Sequence, residues 1–115
     1  MAMKYLEKMK LHILGLDPET FIAYRTAIPL TIDLRIDTIG DSFVATIKSI
    51  NKQDLPKEEL LITEAHSQEE LVNMVNDLVF SYKKIPEAYR PYYKNTLQPQ
   101  GAIRKTNKLE LVKAG

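Results

Sequence analysis

Tyr82, Tyr89, Tyr92 and Tyr93 stand among Lys83, Lys84, Arg90 and Lys94, in a stretch punctuated by Pro86 and Pro91. Phenol rings stack on nucleobases, and lysine or arginine neutralises phosphate, so this mixture suits single-stranded nucleic acid. Arg104, Lys105 and Lys108 extend the cationic character towards the C-terminal end of the sequence. The same types also serve a protein interface, where tyrosine supplies large contact area. A third reading makes Tyr82 and Tyr89 core or lid residues with lysines snorkelling around them. The residue types leave these three readings open.

Catalytic chemistry finds less support. The histidines are His12 and His66. Glu64 with His66 would supply only two ligands of a metal site that needs three or four. Asp33, Asp37 and Asp41 recur at intervals of four. On a strand Asp33 and Asp37 share a face about 13 Å apart, too far for one ion. They are read as the solvent side of a hairpin. The glycines are isolated, so no phosphate-cradling loop is present. There is no cysteine for thiolate or disulfide chemistry. The expectation is a protein that is not an enzyme and has no cofactor and no metal.

Charge is unevenly spread. Residues 33–77 carry four basic and ten acidic groups, and residues 78–115 carry eight basic and two acidic. The acidic middle, with Glu58, Glu59, Glu64, Glu69 and Glu70, would favour encounter with a basic protein partner. These five are the candidate protein-binding residues. Tyr89, Arg90, Tyr92, Tyr93, Lys94, Arg104, Lys105 and Lys108 are the candidates for an interface or for nucleic acid. The chain has 115 residues, 44% hydrophobic and 27% charged. That length and balance read as one domain. It divides into an N-terminal helical extension (1–29), a core (30–85) and a basic, Tyr/Pro-rich segment (86–115). No apolar run approaches the roughly 20 residues that span a bilayer, the start lacks a secretory apolar region, and a cytoplasmic location is the default.

The elements that must position these residues follow from periodicity. Met3, Leu6, Met9 and Ile13 recur at helical spacing, and Gly15 is placed to end that helix. Asp17-Pro18 reads as an N-cap and first helical residue for a short helix over 18–25, stopped by Pro29. At Leu30 the period becomes two: Leu30, Ile32, Leu34 and Ile36 alternate with polar residues, and Gly40 supplies the turn into a returning strand over 42–50. Residues 51–59 read as a polar loop and 60–65 as a third strand. Ser67 and Glu70 form a capping box, in which Glu70 reaches back to the Ser67 N–H. The helix they start turns Leu71, Met74, Val75, Leu78, Val79 and Tyr82 inward and Asn73, Asn76, Asp77 and Ser81 outward. An irregular crossing or a short helix over 87–93, a mobile connection over 98–108 and a final strand at 109–112 complete the pattern. The expected class is α+β: a three- to four-stranded, mainly antiparallel sheet packed by one long helix, with one or two N-terminal helices.

Within this order, Gly40-Asp41-Ser42-Phe43-Val44-Ala45-Thr46-Ile47 followed by Ser67-Gln68-Glu69-Glu70-Leu71 resembles the core of HicB antitoxins over residues 30–85. The resemblance implies a β-β-β-α-β arrangement without nuclease activity. It also implies a non-catalytic module of a toxin–antitoxin system that binds a small basic toxin, or self-associates as a homo-oligomer through its sheet edges. The alternative function is nucleic-acid binding through residues 82–108.

Overall fold

A computed structural model describes residues 15–94, 96–100 and 107–114. Among them the chain is α+β: a six-stranded antiparallel sheet with two helices. The helix expected from Met3 to Ile13 lies outside the described residues, as do Arg104 and Lys105. Helix α1 spans Pro18–Ala27, and its cap forms as the sequence predicts. The Thr20 N–H donates to Asp17 Oδ2 at 3.0 Å and the Thr20 hydroxyl donates to the same oxygen at 2.5 Å. These bonds hold the Asp17 carboxyl below the usual carboxylate range.

Strands β1 (Thr31–Ile39) and β2 (Ser42–Ile50) form the expected hairpin, with Ile32, Leu34 and Ile36 buried. Gly40 has φ +60 at the first central position of the two-residue loop, the place a tight hairpin turn reserves for glycine. Leu30 does not join the inward row; it precedes the strand and is exposed. The pairing slips between Asp33 and Leu34, so Lys48 is an extra residue in β2. This bulge turns Ser49 to the face of Asp33, whose carboxylate accepts from the Ser49 hydroxyl at 2.6 Å.

The loop expected over 51–59 contains a further hairpin. Asn51 and Lys52 both have positive φ and lead into the two-residue strand β3 (Gln53–Asp54) beside β2. Asn51 stays there because its side-chain oxygen accepts from the N–H groups of Leu30 and Thr31. Strand β4 (Ile62–Ala65) pairs with the other half of β2. The C-terminal region holds two strands, β5 (Leu97–Pro99) and β6 (Lys108–Lys113), where one strand and a connection over 98–108 were expected. β6 lies beside β1, in the middle of the sheet, and β5 lies beyond it, so the order is β3-β2-β1-β6-β5 with β4 also on β2.

Helix α2 (Gln68–Tyr82) packs on one face of this sheet. The Glu70 N–H donates to Ser67 Oγ at 3.1 Å, as a cap requires. The return bond differs from expectation: Glu70 accepts from the N–H of His66, at 3.4 Å, rather than from Ser67. The buried stripe is also rotated, comprising Leu71, Val72, Val75, Asn76, Val79 and Phe80, while Met74 is exposed. Asn76, expected on the outer side, is buried because it replaces a strand partner. Its Nδ2 donates to the carbonyls of Val72 and Leu97, and its Oδ1 accepts from the Leu97 N–H at 3.1 Å. A buried amide with every such bond made costs little and fixes β5 against the helix. After α2, Lys84 adopts φ +57 and the Ile85 N–H donates to the Phe80 carbonyl. This closes a left-handed helix stop that seats Ile85 in the core.

Candidate functional site

Two sets of candidate residues lie in different parts of the molecule. The acidic set borders β4. The Ile47 N–H donates to the Leu61 carbonyl at 2.9 Å. In an antiparallel ladder the hydrogen-bonding residues alternate, so Leu61, Thr63 and Ala65 turn their backbone groups to β2. Ile62 and Glu64 therefore direct N–H and C=O away from the sheet, and no described strand pairs with them. Exposed Leu60 and Ile62 stand on this edge with Glu58, Glu59 and Glu64. Glu59 accepts from the Tyr82 hydroxyl at 2.6 Å, and this bond pushes the Tyr82 phenol up from its usual range. Glu58 and Glu64 have no charged or hydrogen-bonding partner among the described residues.

The other two acidic candidates are elsewhere. Glu70 is engaged at the helix cap. Glu69 lines a shallow depression with Gln98 and Pro99, on the β5 side. The predicted five-residue acidic set thus divides, with Glu58, Glu59 and Glu64 near β4. His66 stands behind the cap, its Nδ1 3.5 Å from the Ser42 hydroxyl. No group of three or more His, Asp or Glu side chains among the described residues is arranged to hold a metal ion.

The aromatic-basic segment is built differently. A 3-10 turn at Arg90–Tyr92 folds it back against α1. Tyr93 enters the core at 1% exposure and donates its hydroxyl to the Phe21 carbonyl at 2.6 Å. Burial, with Tyr89 and Tyr24 nearby and against the pull of Arg25, pushes its phenol up to about 12. Arg90 donates through Nε to the Ile85 carbonyl at 2.8 Å and places Nη1 3.6 Å from Asp77. The Tyr89 ring meets Tyr24 at 5.1 Å. Of this segment Lys83, Lys84, Tyr92 and Lys94 remain exposed, and Lys108 is exposed at the start of β6.

Tyr92 and Lys94 border a cleft of about 650 Å³ between the 3-10 turn, α1 and the end of β6. Phe21, Arg25 and Lys113 also line it, and sequence periodicity assigns none of the three a functional role. The Arg25 guanidinium lies 5.6 Å from the centre of the Phe21 ring. That is within cation–π reach. Lys113 Nζ donates to the carbonyls of Arg25 at 2.7 Å and Ile28 at 3.2 Å. The Arg25 carbonyl also accepts from the Ile28 N–H at 3.3 Å, so the ammonium adds a second bond there and engages the Ile28 carbonyl just past the end of α1. Burial, then the neighbouring Arg25, lowers the proton affinity of Lys113. The cleft is invisible to local spacing because Arg25 and Lys113 meet only through the long-range pairing of β6 with β1. Recognising a strand at 108–113 as the central partner of β1 was the signal that could have found it.

Comparisons with protein-family models, with curated proteins and with solved structures find no match for this chain. Among the described residues no helix is long and apolar enough to cross a membrane.

Proposed function

We propose that this chain is a non-catalytic protein-binding module that takes an extended, basic segment of a partner along the open edge of β4. The observation that carries this reading is the outward backbone of Ile62 and Glu64, flanked by exposed Leu60 and Ile62 and by Glu58 and Glu64, which have no charged partner among the described residues. Strand addition draws its affinity from main-chain hydrogen bonds and its selectivity from alternating side chains. An edge left bare is also a hazard that charged side chains blunt, and Glu64 serves both ends. Carboxylates at such an edge steer a cationic partner and repel a second acidic edge. The HicB-like resemblance over residues 30–85 implies a small basic toxin as partner, and the acidic edge suits such a partner. The nucleic-acid reading draws less from the geometry, since Tyr93 and Arg90 are committed within the fold.

The test uses the partner recovered by co-purification from the native host. Ile62→Pro removes one outward N–H while leaving the ladder to β2 intact, because proline is tolerated where an edge strand's N–H faces solvent. Ile62→Pro and Glu64→Lys should both abolish recovery of a stoichiometric basic partner, with thermal unfolding of Glu64→Lys unchanged. Recovery of the same partner by both variants, or a solitary monomer from the native host, would overturn the reading.

A further inference from the structure

The cleft between α1, the 3-10 turn and the end of β6 gathers Arg25, Lys94 and Lys113, with no carboxylate in its lining among the described residues. Like charges are not collected in a part-buried place without cost. Here no described acid offsets them. Each cation is held differently. Arg25 rests over Phe21. That leaves the fork of its guanidinium able to grip a flat anionic group with two bonds. Lys113 spends two donors on the carbonyls of Arg25 and Ile28, and an ammonium has three. Lys94 is exposed at the rim. The remaining wall is aromatic: Phe21 and Tyr92 meet edge-on at 6.1 Å, and Tyr92 keeps 47% of its surface in solvent.

We propose that this cleft is a binding site for a small organic anion, with a carboxylate or phosphate on Arg25 and Lys94 and a flat apolar body against Phe21 and Tyr92. The volume suits one such molecule, because it falls within the usual range of small-ligand sites. A bare inorganic ion would leave the aromatic wall uncovered. A neutral ring would leave these cations without a charged partner among the described residues. The site lies apart from the β4 edge, so its occupant need not compete with a protein partner there.

Titration calorimetry of the full chain with 2-naphthyl phosphate, 2-naphthoate, 2-naphthol and inorganic phosphate tests this. One saturable site is expected for the naphthyl phosphate, for the naphthoate or for both, and the stronger of the two identifies the anionic group. Naphthol and inorganic phosphate should each bind about ten-fold more weakly or worse. Arg25→Gln should weaken the best probe by about ten-fold and Lys94→Gln by less, whereas Lys57→Gln, on the loop before β4, should change nothing. Thermal unfolding of each variant shows that it is folded. Naphthol binding as tightly as the anions, an unchanged affinity in folded Arg25→Gln, or no saturation up to about 10 mM would overturn the assignment. So would an oligothymidylate that binds more tightly with length and loses that binding in the same variants, since the cleft would then serve a strand.

Discussion

The β4 edge and the α1 cleft are both charged, yet they are charged in opposite ways. At β4 the carboxylates of Glu58 and Glu64 project into solvent, and the specific geometry belongs to the backbone. On the proposed reading such charges would set a field and an encounter rate, and a partner's main chain would supply the register. In the cleft the carbonyls of Arg25 and Ile28 are already bonded. Lys113 itself closes the end of α1, and the specific geometry belongs to the side chains of Arg25, Phe21 and Tyr92. An edge of the first kind tolerates substitution and selects by shape of chain. A cleft of the second kind is tied to the core, and its floor cannot change without loss of stability.

That contrast can be broken by measurement. Tyr93 is the buried ring beneath the cleft. Tyr93→Ala should cost about 3–5 kcal/mol in denaturant unfolding, the range for a large buried aromatic. A cost below about 1 kcal/mol would mean that the cleft floor is as independent of the core as the β4 edge. Asn76 holds both the N–H and the carbonyl of Leu97. Asn76→Ala should cost about 1–3 kcal/mol, because it strands these two groups. Hydrogen exchange should then find the Leu97 amide unprotected while the β1–β2 hairpin stays protected.

Alkali sharpens the comparison further. The Tyr93 phenol has a folded-state proton affinity above its ordinary value of 10.0, so its contribution is complete below that pH and is lost as pH rises towards about 12. Stability should therefore fall as pH rises through this window, and Tyr93→Phe should remove that part of the fall. At neutral pH the same variant should lose one hydrogen bond, worth about 1 kcal/mol. Lys84 holds φ +57 at a position that glycine occupies without strain. Lys84→Gly should therefore stabilise by about 0.5–1 kcal/mol. Smallest of all, Glu64→Lys should shift stability by less than about 0.5 kcal/mol. A larger loss would show that the β4 edge already has a structural task.

Local patterns carried much of the architecture. The period-two alternation of residues 30–37, the Gly40 turn, the Asp17-Pro18 start and the Ser67 cap each depend on neighbours within a few positions, and each forms, with Leu30 alone left out of the strand's buried row. What stayed hidden depends on distant partners. Asn76 reads as an outward polar residue until Leu97 arrives to accept its amide. The rotation of the α2 stripe towards Val72 and Phe80 follows from β5 and Tyr93, which lie far along the chain. Tyr93 reads as a contact residue by composition and is a core residue by position. The candidate positions divide in the same way: Glu58 and Glu64 stand out by charge alone, while the meeting of Arg25 and Lys113 depends on the tertiary pairing.

The place of β6 has a kinetic consequence. Leu34 pairs with Ile47 in the adjacent strand and with Leu109 near the opposite end of the sequence. The first contact closes within a hairpin, on a timescale of roughly microseconds, while the second must await a long loop closure and is slower. In that interval β1 is an apolar strand with one side unpaired, a template for another copy of itself. Refolding of this chain should therefore grow more error-prone with protein concentration, and a peptide with the sequence of β6, supplied in excess, should suppress that loss by occupying β1 early.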